Sequence, residues 1–167
     1  IDLENGVAAL AQAVGCTIEF MDDAAPWVIA PAVPSLEAIG ELKPIDPYQD
    51  GTLPEIIRAT RLIAKEAGQH VCLLSDADQG PFSLATQIVG PEEFLTALRQ
   101  PKKEALVHRL LEYTTEQVLR YARALIEAGA HKLMDTIIVV TAVEPTQLRR
   151  LMDRNKLTEE DARTRIR

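Results

Sequence analysis

Apolar residues recur along this chain in two rhythms, and the helical one dominates. Leu3, Val7, Leu10 and Val14 return every three or four positions, which places them on one helical face. A helix is predicted from Asp2, a suitable cap, to Val14, with Gly15 ending it. Pro54 suits the first turn of a second helix that runs to about Ala67, with Ile57, Leu62 and Ile63 among its apolar residues. Short helices are expected over Ser35 to Gly40, Ser83 to Val89 and Pro91 to Leu98. Pro101 opens the longest helix, which Gly129 closes. Its stripe of Val107, Leu111, Thr114, Val118, Tyr121, Ala122 and Leu125 keeps a spacing of three to four and should lie on a sheet. Two amphipathic helices close the chain, one from about Pro145 to Asp153 and one from Thr158, as cap, to Ile166.

The second rhythm belongs to strands. Cys16 to Phe20 alternates as a short strand does. Val71-Cys72-Leu73-Leu74 is a short apolar run behind a Gly-terminated helix, and Thr136 to Thr141 is an unbroken, mostly β-branched run. Helix, Gly, then buried strand is the unit of a parallel sheet, so these two strands are expected to pair in parallel. Pro26, Pro31 and Pro34 break the stretch around Trp27-Val28-Ile29, which reads as an extended loop. A Pro- and Asp-rich connector runs on to Gly51. There is no internal repeat and no low-complexity tract.

Composition narrows the class. With 167 residues, 47% hydrophobic and 26% charged, the chain fits one globular domain rather than a disordered one. No apolar run reaches the roughly 18–20 residues of a membrane helix, and no leader pattern opens the chain. Ile1 in place of Met suggests a processed, excised or incomplete product. Cys16 and Cys72 form no CxxC pair and read as buried thiols of a reducing, cytoplasmic compartment. The net charge is −7, unevenly spread: from Ile137 onward seven Lys/Arg face five Asp/Glu, a local +2, which leaves −9 for the remainder. An acidic body argues against nucleic acid as partner. The Arg-rich tail is different material.

Catalytic groups are sparse. His70, His108 and His131 have no second His or Cys at zinc-ligand spacing; His70 and Cys72 are the sole close pair, and two ligands are too few for a closed site. A Walker loop, GxGxxG and GxSxG are all lacking. The unusual segment is Ser75 to Ala85, at the carboxyl end of the Val71–Leu74 strand, the side on which parallel α/β folds meet ligands. Asp76 and Asp78 suit a cationic or hydroxylated ligand, and N–H groups after Pro81 suit an anion. The competing reading is an acidic turn opened by proline.

Gly80-Pro81-Phe82-Ser83-Leu84-Ala85-Thr86-Gln87-Ile88-Val89-Gly90, followed by Glu93-Phe94-Leu95, resembles the uroporphyrinogen decarboxylase superfamily, in particular its corrinoid-dependent methyltransferase branch. Ala13 to Phe20, then Pro34-Ser35-Leu36-Glu37 with Leu42 and Asp46-Pro47, then Leu110 through Ala130, match in the same order, over roughly residues 1 to 135. The resemblance implies part of a (β/α)₈ barrel, about three of eight strands, where a full barrel takes about 250 residues. Relatives in the methyltransferase branch use zinc and a corrinoid, with zinc ligands in their C-terminal half; no cofactor is expected on this chain. The decarboxylase branch uses an Asp near its N-terminal helix, for which Asp2 is the nearest candidate, thirteen positions before Gly15. The resemblance assigns cavity lining, and so substrate binding, to Asp78, Gln79, Gly80, Pro81 and Phe82.

The tail resembles dephospho-coenzyme A kinase. Asp135 to Val140 matches a strand, Gln147-Leu148-Arg149-Arg150-Leu151-Met152-Asp153-Arg154 a helix, and Thr158-Glu159-Glu160-Asp161-Ala162 with Arg165-Ile166 the next helix. By that resemblance Arg150 and Arg154 approach nucleotide phosphates; by their charge alone they are a solvated helix face. The fold expectation is therefore α/β: a partial barrel-type parallel sheet over 1–130, with a kinase-like strand and two helices over 131–167. The functional expectation is a relative of decarboxylases and methyltransferases without a complete active site. The alternatives are a nucleotide- or coenzyme A-binding protein and a non-catalytic chimeric fold. A small-molecule ligand, no membrane and a homodimer complete the expectations, the dimer because open strand edges invite pairing.

Overall fold

A computed structural model describes residues 8–68, 70, 77, 80–130, 149, 152 and 158–166. The chain divides into two compact units, Ile1–Leu133 and Met134–Arg167. The first holds helix α1 (Ala8–Val14), strands β1 (Thr17–Glu19) and β2 (Trp27–Ala30), a 3-10 helix at Leu36–Glu41, and helices α2 (Leu53–Glu66), α3 (Pro81–Val89), α4 (Pro91–Ala97) and α5 (Glu104–Ala128). The second unit shows helix α6 (Glu159–Ile166). The strands expected at 71–74 and 136–141, and the helix at 145–153 apart from residues 149 and 152, lie outside the described residues.

Local chemistry explains the helix limits. At the end of α1 the Cys16 amide donates to the Ala11 carbonyl and the Gly15 amide to the Gln12 carbonyl, both at 2.9 Å. Those two bonds make a Schellman closure, with Gly15 at φ 115°, a value that suits glycine. Pro81 and Pro91 each stand at the start of a helix, where a missing N–H costs nothing. In the second unit Thr158 Oγ1 accepts from the Asp161 amide at 3.2 Å, so Thr158 caps α6 as expected.

One expectation needs correction. The stretch around Trp27-Val28-Ile29 is a strand, β2, paired antiparallel with β1 through Thr17↔Ala30, Ile18↔Val28 and Glu19↔Trp27. Pro26 and Pro31 lie just outside it, so they bound the strand and leave its β-favouring centre intact. On α2 the apolar Leu62 is 59% exposed. The buried series on α2 is Leu53, Ile56, Ile57 and Thr60, a spacing of three and four from which Leu62 departs.

The core is helical. α5 packs on α2 and α3, α3 on α4, and α1 against α3 and the hairpin. Leu10, Leu36, Leu53, Ile57, Leu84, Ile88, Phe94 and Leu110 form its fully buried heart. On α5 the buried line is Val107, Leu110, Thr114, Gln117, Tyr121, Ala124, Leu125 and Ala128. It faces the neighbouring helices and is rotated slightly from the predicted stripe, with Leu111, Val118 and Ala122 at its margin. A Cβ on Gly129, at φ 113°, would come within 2.8 Å of the Ala64 Cβ, so α5 and α2 converge there on a residue without a side chain. Among the described residues, no helix is long and apolar enough to cross a membrane.

Candidate functional site

Of the residues predicted to line a substrate cavity, Gly80, Pro81 and Phe82 are described, while Asp78 and Gln79 lie outside the described residues. So do Asp2, Asp76, Arg150 and Arg154. The three described residues meet at the start of α3. Gly80 is the cap position, and a Cβ there would meet none of the described residues within 4 Å. The Gly80 carbonyl accepts from the Leu84 amide at 3.2 Å, closing the first turn. Behind the proline, the amides of Phe82 and Ser83 belong to the turn whose N–H groups have no partner inside the helix. The Phe82 ring is 50% exposed and rests edge-on against buried Phe94, centroids 5.1 Å apart and planes at 72°. The helix start therefore presents open space, polar N–H groups and one aromatic face, a combination suited to an anionic molecule with an apolar body.

Below that turn α3 is anchored. Leu84, Ala85, Ile88 and Val89 are buried, and Thr86 Oγ1 donates to the Ser83 carbonyl at 2.7 Å. Lys103 ties α4 to the 3-10 helix, its Nζ lying 2.8 Å from Glu93 and 3.2 Å from Glu37. Hydrogen bonds from its own backbone amide and from Lys103 hold the Glu37 carboxyl below its usual range. The bonds to Glu93 and Glu37 push Lys103 up.

Sequence reasoning missed one buried polar residue that organises this unit. Gln117 is fully buried on α5. Its Oε1 accepts from the Ile45 amide at 3.0 Å, and its Nε2 donates to the Tyr113 carbonyl at 3.0 Å. Tyr113 adds a 2.7 Å bond to the Lys43 carbonyl, and burial pushes its hydroxyl up to about 12. Together they pin the connector at residues 42–47 onto α5. A lone Gln among apolar neighbours carries no periodic signal that would have marked it.

The zinc implied by the methyltransferase resemblance does not fit what is described. Among the described residues no three His, Cys, Asp or Glu side chains converge. Burial pushes the Cys16 thiol up to about 11, away from the thiolate that binds metal. Cys16 instead donates weakly to the Gln87 carbonyl at 3.5 Å. His108 lies exposed on α5, 3.9 Å from Glu104, and His70 is exposed. No zinc-dependent step follows from these residues.

Comparison with known proteins adds the following. The family profile "Uroporphyrinogen decarboxylase (URO-D)" matches residues 3–152. A methylcobamide:CoM methyltransferase, MtaA, of Methanosarcina barkeri is 28% identical over 125 residues, 74% of this chain and 36% of that protein. The chain thus spans little more than a third of the length of that relative. A dephospho-CoA kinase of Geobacillus kaustophilus is 43% identical over a shorter stretch of 65 residues, 39% of this chain and 30% of that protein. Among solved structures, a methyltransferase from Methanosarcina mazei superposes with a TM-score of 0.67 at 24% identity, covering 81% of this chain and 42% of that one. At that identity the superposition speaks for the fold alone.

Proposed function

The chain belongs to the uroporphyrinogen decarboxylase (URO-D) family, and from that premise we propose that it binds an anionic small molecule at the start of α3. The carrying observation is the open turn at Gly80, Pro81 and Phe82, with uncrowded Gly80 and half-exposed Phe82. The family resemblance assigns Asp78 and Gln79 to the same lining. The chain has no complete active site by itself, and zinc and corrinoid chemistry belongs to its full-length relatives.

A second reading rests on the kinase likeness: a nucleotide- or coenzyme A-binding tail, with Arg150 and Arg154 on the phosphates. In that reading the chain divides into a decarboxylase-like segment over 1–130 and a kinase-like segment over 131–167. A non-catalytic chimeric fold is the third. A cytoplasmic location and a two-fold homodimer accompany all three readings.

Thermal unfolding with zinc, a corrinoid, a porphyrinogen or ATP separates them, because a ligand that binds the folded state raises its midpoint with concentration. The first reading expects a rise with the corrinoid or the porphyrinogen that Phe82→Ala reduces. A rise with ATP alone, abolished by Arg150→Ala, favours the second. No rise with any of them leaves the chimeric fold.

A further inference from the structure

A groove of about 370 Å³ runs beside β2. Residues 26–31 form one wall, six in succession, and Thr86, Gln87, Gly90 and Pro91 form the other. Successive strand residues point to opposite faces, so a groove touched by all six follows the backbone edge of the strand. β1 occupies the other edge. The edge along the groove has no strand beside it among the described residues. An unpaired edge presents N–H and C=O groups that an added strand can take up. Its flanks are apolar: Trp27 is 68% exposed and Ile29 56%. On the far wall Gln87 holds Oε1 shielded from water and without a hydrogen-bond partner among the described residues, an acceptor that a peptide amide would satisfy after a small turn of the side chain.

Charge says what fits. Residues 16–34 carry Glu19, Asp22 and Asp23 and no Lys or Arg, and residues 83–93 carry Glu92 and Glu93 and none either. Glu93 is neutralised by Lys103. The other four are exposed and have no ion pair among the described residues. Glu19 stands opposite Trp27 in the hairpin register, and Glu92 follows Pro91 on the far wall. The groove walls themselves carry no acidic residue; Glu92 adjoins the far wall, and Glu19, Asp22 and Asp23 stand on the hairpin that carries the near wall, a surrounding field that draws in cationic segments.

We propose that this groove takes a basic, extended peptide segment of a partner protein, added to β2 as a third strand. Apolar side chains of the segment lie beside Trp27 and Ile29, and its Lys or Arg residues face Asp22, Asp23, Glu19 and Glu92. The site is independent of the one at the start of α3, because Thr86 and Gln87 belong to the later turns of that helix.

The test selects random nonapeptides displayed on phage against the full 167-residue chain and measures fluorescein-labelled winners by anisotropy. The expected winners alternate apolar residues with Lys or Arg. Asp22→Lys with Asp23→Lys, both in an exposed turn and so compatible with an unchanged circular dichroism spectrum, should weaken binding at least about tenfold. N-methylation of alternate peptide nitrogens should do the same, and hydrogen exchange should slow over residues 27–30 when peptide binds. Failure to enrich any peptide overturns the proposal. So do winners indifferent to both charge reversal and N-methylation, and so does self-association through this edge, which would make a second copy the occupant.

Discussion

Phe94 and Trp27 are both large aromatic residues, yet one is fully buried beneath α3 and the other is 68% exposed on β2. The difference lies in how many elements cover each place. Phe94 sits where α3, α4 and α5 meet, so every side of its ring finds a neighbour. The hairpin has α1 behind one face, where Ile18 and Val28 turn inward; its other face carries Trp27 and Ile29 outward. Burying an aromatic ring contributes a few kcal/mol, so an exposed Trp forgoes stability that its helical counterpart receives. An apolar strand that forgoes it, with no strand other than β1 beside it among the described residues, is the kind of surface on which partners dock.

The largest test of this contrast is truncation. Phe94→Ala should cost about 3–5 kcal/mol through lost burial and a residual cavity, whereas Trp27→Ala should cost less than about 1 kcal/mol. Urea unfolding of both variants measures the gap, and equal costs would make the hairpin part of the core. Next comes the clamp on α5. Gln117→Ala leaves the Ile45 amide buried without its acceptor and should cost about 2–3 kcal/mol. Tyr113→Phe, which removes a single bond at a more open site, should cost about 1 kcal/mol. Gly129→Ala should follow at about 1–3 kcal/mol, combining left-handed backbone strain with the approach to Ala64. Restoring stability with Ala64→Gly in the same chain would identify the contact as the cause.

The smallest effect at neutral pH concerns Cys16. Its folded value lies near 11 against an ordinary 9.0, so the folded state favours the neutral thiol. That contribution is fully present below pH 9 and fades as pH rises from 9 toward 11. At pH 8 a Cys72→Ser variant should react with iodoacetamide roughly 100-fold more slowly when folded than when unfolded in urea. Equal rates would show that the thiol is not held under the hairpin.

Most helices were legible because their signals are local. Gly15 and Gly129 end helices with backbone angles few other residues tolerate, Pro81 and Pro91 begin them, and Thr158 caps one with its own hydroxyl. β2 was misread because three prolines within nine positions outweighed the Trp-Val-Ile centre; the deciding fact was that β1 lies alongside it. Leu62 is apolar yet exposed, since only one helical face can meet a neighbour. Gln117 was invisible because its partners are 72 residues away at Ile45 and four away at Tyr113.

The candidate site divides in the same way. The order Gly80-Pro81-Phe82 and its collinear neighbours carried the family without any coordinates, because motif spacing survives in the chain itself. By itself the sequence determined the family, the helical segments and their ends, and the acidic character of the body, all of which depend on nearest neighbours or on simple sums. Only the tertiary structure decided which face of each helix is covered, that Phe82 stands half open over a buried Phe94, and that β2 and α3 form the two walls of one groove. Those facts depend on contacts between residues far apart in the chain, and no local pattern records which distant backbone will arrive.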